Sequence, residues 1–185
     1  MSAAIDSQGV LETLEHADRL LVQQVFKPIA NEYRISVPAP GSTEEGAPLL
    51  FVRQKRMKIR EDIRFRLAPD DDAHLFMIKS KTVFEFRGRH EVLDADGRVI
   101  GMLEKSFGKS LLRRFAGMVS DELSMLQWLP FNFTLLRDGQ PVGSYKRVLG
   151  KLRDRYVLEL GPGLEGVDRR LLVAFAVALD ALQDR

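Results

Sequence analysis

The residues of this chain with the most chemical character are the cations of VRQKRMKIREDIRFR, residues 52–66. There Arg53, Lys55, Arg56, Lys58, Arg60, Arg64 and Arg66 meet only Glu61 and Asp62 as counter-charges. Guanidinium forks and ammonium groups complement phosphate oxygens, and beside an anionic membrane each contributes on the order of 1 kcal/mol, lost as salt rises. If two strands meet near Glu61 and Asp62, alternation directs Arg64 and Arg66 to the face opposite Ile63, Phe65 and Leu67. The run then forms a basic surface for anionic lipid headgroups or other phosphate-bearing ligands. The competing account is a solvated exterior, since 28 Lys and Arg against 26 Asp and Glu leave a net charge of only +2. A second basic group, Lys109 with Arg113 and Arg114, sits in FGKSLLRRF. Leu111, Leu112 and Phe115 would share one side of a short amphipathic helix there.

Other motifs invite an enzymatic reading and fail on spacing. GPGLEG, residues 161–166, matches the glycine pattern of a dinucleotide-binding turn, yet no second parallel strand or distal acid follows it before Arg185. A plain helix-entry turn is expected. FGKS, residues 107–110, lacks the opening glycine of a phosphate-binding loop, because that position is Leu103. DADG, residues 94–97, would place Val92 and Leu103 at calcium-ligand positions, so a hairpin turn explains it better. The 3 histidines, His16, His74 and His90, are widely spaced, and DDDAH at residues 70–74 reads as a turn between strands. No nucleophile elbow occurs. The expectation is a non-enzymatic protein with no metal and no cofactor.

These side chains need elements to hold them. The 185 residues suit one domain, with residues 1–19 as an extension containing a helix near Val10–Asp18 capped by Ser7. From Leu20 to Lys105 the chain reads as short β segments: LLVQQVF, EYRISVP, PLLFVRQKR, IRFRLAP, HLFMIKS, RHEVLDADG and RVIGMLEK. APGSTEEGAP, residues 39–48, reads as a loop within the sheet. Asp96-Gly97 and Asp138-Gly139 predict two-residue hairpin turns, the second joining LPFNFTLL to PVGSYKRVLG. RDRYVLEL adds a last strand before LLVAFAVALDAL, residues 171–182, which is apolar on all sides and too short to span a membrane. A helix over about residues 168–183, led by Asp168, must therefore be buried. The fold class expected is mainly β: a closed antiparallel barrel of about twelve strands over residues 20–185, enclosing that helix in a bore that would otherwise be hollow.

LLVQQVFKPIANEYRI, PLLFVRQKRMKI, RGRHEVLDADGRVIG and RDRYVLELGPGLEGVDRRLLVAFAVALDALQ together resemble the tubby C-terminal-like superfamily, in its LURP-one-related and phospholipid scramblase-like branch. The resemblance runs from Leu20 to Gln183. It implies a barrel threaded by a hydrophobic C-terminal helix. Tubby domains bind phosphoinositide headgroups through basic side chains, and scramblase-like proteins are associated with lipid movement; no ligand residue of either is carried over to this chain. The proline-rich N-terminal segment of scramblases, a palmitoylatable cysteine and a membrane-spanning length are all lacking, which argues against translocation.

Three classes of function follow, in order: a binding module for anionic lipid or phosphate-bearing ligands, a scaffold that binds a protein partner, and a scramblase-like protein. Nucleic acid is not an expected partner at so small a net charge. With no cysteine and no signal-peptide pattern at MSAAIDSQGV, a cytoplasmic protein, peripheral at a membrane in the first reading, is the expectation.

Overall fold

The computed structural model describes residues 6–26, 30–55, 62–80, 89–104, 112–117, 122–129, 132–148 and 155–181. Helix α1 (Ser7–His16) leads into β1 (Arg19–Phe26), β2 (Ala30–Ser36), β3 (Pro48–Lys55), β4 (Asp62–Arg66), β5 (Phe76–Ser80) and β6 (Arg89–Asp94). Then come β7 (Val99–Glu104), β8 (Leu112–Gly117), β9 (Glu122–Leu129), β10 (Asn132–Arg137), β11 (Gln140–Arg147), β12 (Arg155–Leu160) and α2 (Arg169–Ala181). Every neighbouring pair is antiparallel, and β1 pairs with β2 on one side and β12 on the other, so the ladder returns to its first strand.

Alternation divides each strand between core and exterior. On β4, Ile63 and Phe65 are buried while Arg64 and Arg66 are only partly so. Phe65 stacks on Phe76 of β5 at 4.1 Å between centroids, and Tyr145 of β11 on Tyr156 of β12 at 5.0 Å. These inward rings surround α2, in which no residue from Leu171 to Leu179 exceeds 5% exposure. A helix buried on every side needs neighbours on every side, and the sheet supplies them. Asp168 starts it by accepting the Arg170 N–H at 2.9 Å. Val10 and Leu14 of α1 join the same core, so the N-terminal helix is part of the packed unit rather than an appendage.

The expected fold class is corrected in its inventory and its regularity. Helix α1, expected in an extension outside the barrel of residues 20–185, joins the same core and contacts α2, so α2 is not the sole helix packed with the sheet among the described residues. The sheet is uneven: the ladders slip in register between Ile35 and Ser36, Val92 and Leu93, Asn132 and Phe133, and Leu135 and Leu136. The β3–β4 ladder holds only Phe51↔Arg66, Val52↔Phe65 and Arg53↔Arg64.

Local readings are corrected too. The segment read as an amphipathic helix forms strand β8 from Leu112 to Gly117, and Leu111 lies outside the described residues. The α1 cap is Asp6, whose carboxylate accepts the Gly9 N–H at 2.7 Å, rather than Ser7. Asp138 and Gly139 do make a two-residue turn, with φ 49° and 79°. The other turn spans Ala95 to Arg98, because the Asp94 carboxylate gathers the N–H groups of Asp96 and Arg98 at 3.0 and 2.8 Å.

Candidate functional site

The registers of five adjacent strands align one row of outward residues, Arg155–Gln23–Arg34–Phe51–Arg66, across β12, β1, β2, β3 and β4. Beside it runs a second row, Val25–Glu32–Arg53–Arg64–Met77, from β1 to β5. Antiparallel neighbours lie about 4.8 Å apart, so side chains along a row are in reach of one another. Between the rows is a cavity of about 120 Å³ whose wall includes Val25, Glu32, Arg34, Phe51, Arg53, Arg66 and Pro69. Val25, Phe51 and Pro69 give it apolar surface, and Arg34, Arg53 and Arg66 line it together with Glu32.

The charges in this patch are incompletely neutralised. Glu32 meets Arg53 at 3.8 Å and Glu45 meets Arg34 at 3.5 Å. Arg64 and Arg66 have no carboxylate partner among the described residues, and the Arg66 Nε is out of solvent without a hydrogen-bond partner. Arg53 stands directly across from Arg64, two like charges that repel, with Glu32 beside Arg53 offsetting this in part. The same field reaches His74 in the β4–β5 connection. Burial first, then Arg64 and Arg66, hold its pKa below the ordinary 6.5, with Asp62 opposing.

The loop between β2 and β3 reaches over this exterior. Arg155 of β12, two strands from β2, donates to the Thr43 carbonyl at 3.2 Å and pairs with the Glu44 carboxylate at 2.9 Å. The loop therefore crosses the outer face of β1. Beneath it the outward residues Leu21, Gln23, Ser36 and Val157 are buried at 0%, 2%, 1% and 5% exposure, and Leu21 and Val157 stand apart from the central core. The stems of the loop touch, since a side chain at Gly46 would lie 2.2 Å from the Val37 carbonyl oxygen. Yet Gln23 Oε1 and Ser36 Oγ have no hydrogen-bond partner among the described residues, each carrying a desolvation cost of about 1–3 kcal/mol.

A larger cleft, about 600 Å³, lies where α1 meets the entry to α2 and is lined by Leu11, Leu14, Glu15, His16 and residues 165–170. Of its two arginines, Arg170 is held by a carboxylate, while Arg169 Nη1 is shielded from solvent without a hydrogen-bond partner among the described residues. Arg170 grips Asp168 through two nitrogens, the shortest contact 2.6 Å, and this hydrogen bonding raises its pKa. Burial lowers the pKa of Arg169, while Asp18, Glu165 and Glu15 counter it. GPGLEG forms one wall, held by Arg137, which donates to the carbonyls of Gly163 at 2.6 Å and Glu165 at 3.2 Å. The cleft is a braced helix entry in which Glu15, Glu165 and Asp168 stand beside Arg169 and Arg170, so its lining is of mixed charge.

Of the cations singled out by the sequence, Arg53, Arg64 and Arg66 come together. Lys55 ends β3 two residues from Arg53, and nothing of its side chain is described; Arg56, Lys58 and Arg60 lie outside the described residues. Lys109 lies outside them as well. Arg113 and Arg114 are neighbours on β8, which pairs with β7 and β9 and stands four strands along the ladder from β4; nothing of their side chains is described. Arg34, Phe51, Arg155, Glu44 and Glu45 complete the site and were not singled out from sequence. Arg34 carried a signal in the alternation of Tyr33, Arg34 and Ile35, which puts it outside; its register against Phe51 and Arg66 carried none.

Among the described residues no group of three or more His, Asp or Glu could hold a metal, and no helix is long and apolar enough to cross a membrane. Comparison with family models, with curated proteins and with solved structures gives no match.

Proposed function

We propose that the protein is a non-enzymatic binding module whose outer arginine face on β2–β4 takes a phosphate-bearing anion, either a lipid headgroup or a soluble phosphate compound. The observation that carries this reading is Arg53 directly opposite Arg64, with Arg66, which has no carboxylate partner among the described residues, beside Phe51 in the cavity wall. A phosphate group has acceptor oxygens enough for several guanidinium forks at once, and it would offset the part of the cross-strand repulsion that Glu32 does not. The apolar surface of Val25, Phe51 and Pro69 favours a ligand with a non-polar portion next to its phosphate.

Sedimentation with vesicles tests it. The protein should pellet with phosphatidylglycerol-containing vesicles and not with pure phosphatidylcholine, and binding should fade as salt shortens the Debye length below about 8 Å. Inorganic tripolyphosphate should release it. Release by tripolyphosphate without vesicle binding to begin with is impossible, so a direct titration of the soluble anion forms the second arm: binding there, and none to vesicles, identifies a soluble ligand. Absence of binding in both arms refutes the reading and leaves the scaffold account.

A further inference from the structure

We infer that the loop of residues 37–47 is an internal competitor for the arginine face, a strap that occupies part of the site until a phosphate-bearing ligand displaces it. This rests on the function proposed above. The row Arg155–Gln23–Arg34–Phe51–Arg66 holds three arginines, and the strap places a carboxylate on two of them: Glu44 on Arg155 at 2.9 Å and Glu45 on Arg34 at 3.5 Å. The third, Arg66, is without a carboxylate among the described residues. Two consecutive acids thus stand where a ligand's charges would stand if it extended from the Arg66 end of the row toward β12.

The strap is fastened unevenly. Its ion pairs are exposed at the Glu44 side, with that side chain 64% accessible, and the Arg34–Glu45 contact is long. Beneath it, Gln23 Oε1 and Ser36 Oγ are shielded from solvent without a partner among the described residues, so two desolvated oxygens work against closure while Leu21 and Val157 work for it. A phosphate group entering at Arg66 and reaching Arg34 removes one of the two carboxylate attachments. Opening then frees Arg34 and Arg155 and returns Gln23 and Ser36 to hydrogen-bonding partners, which lengthens the basic row from one unpaired arginine to three.

The test is calorimetric titration with inorganic tripolyphosphate at low salt, using the whole chain and its Glu44→Gln/Glu45→Gln variant. The charge-matched control is Asp96→Asn/Asp138→Asn, which preserves both turns because Asn-Gly serves as well as Asp-Gly. The strap variant should bind about tenfold more tightly than the unaltered protein, as for a site closed roughly nine-tenths of the time, and the control should not. Amide hydrogen exchange across residues 39–47 should quicken when tripolyphosphate is added. Binding seen only in the strap variant, and abolished there by Arg66→Gln, supports the strap most strongly. Binding that depends on Arg66 but is equal in all three proteins, with unchanged exchange, overturns the strap and leaves the arginine site standing. No binding in any of them overturns both.

Discussion

Tyr145 on β11 donates its hydroxyl to the carbonyl of Ala176 on α2 across 3.0 Å, a buried bond that ties the central helix to the sheet wall. The ring is fixed from the other side by stacking on Tyr156. Tyr145→Phe keeps the stack and deletes the hydroxyl, so it should lower stability by about 1 kcal/mol with no change of fold. Urea denaturation followed by circular dichroism reads this, and an unchanged midpoint would show the bond contributes nothing.

Val173 lies at the centre of α2 with no exposed surface. Val173→Asp places an unpaired charge in that core at a cost of several kcal/mol and should abolish cooperative unfolding. Val173→Ala, which only leaves a cavity, should lower the denaturation midpoint while keeping a single transition.

Arg137 braces the entry to α2 through the carbonyls of Gly163 and Glu165. Arg137→Ala leaves those carbonyls to water and should reduce stability by roughly 1–3 kcal/mol. Faster amide exchange confined to residues 161–168 would identify the cause, and uniform acceleration would not.

His74 gives the acid limb of stability. Its pKa is lowered in the folded state, so the unfolded chain takes up its proton first and stability falls as pH drops from 6.5 toward the lower folded value, then levels. His74→Gln should flatten that segment in denaturation midpoints measured across it. Tripolyphosphate at Arg64 and Arg66 offsets two of the charges that depress the pKa, so the His74 titration followed by NMR should move upward when the anion is present.

What the sequence revealed of this protein follows from what each signal depends on. The apolar stretch of α2 and the alternation of Ile63, Arg64, Phe65 and Arg66 are local properties, written in the spacing of side chains, and the structure places these residues accordingly. Strands β8 and β9 were obscured because LLRRFAG has apolar and basic residues in pairs, a pattern that fits a helical turn as well as a strand. The site depends on register. Nothing local to EYRIS, PLLFVRQ and DIRFR states that Arg34, Phe51 and Arg66 stand abreast, and nothing in GSTEEG states that its acids lie over Arg34 and Arg155.

The central claim, that the outer face of β2–β4 binds a phosphate-bearing anion through its arginines, is tested most directly by the NMR signals of the arginine Nε–Hε groups during titration with tripolyphosphate. The signals of Arg34, Arg64 and Arg66 should shift together and saturate at one concentration, while that of Arg98, on the turn between β6 and β7 and paired with Asp96, stays in place. Proportional movement of all arginine signals without saturation, or saturation at arginines away from these rows, would contradict the account.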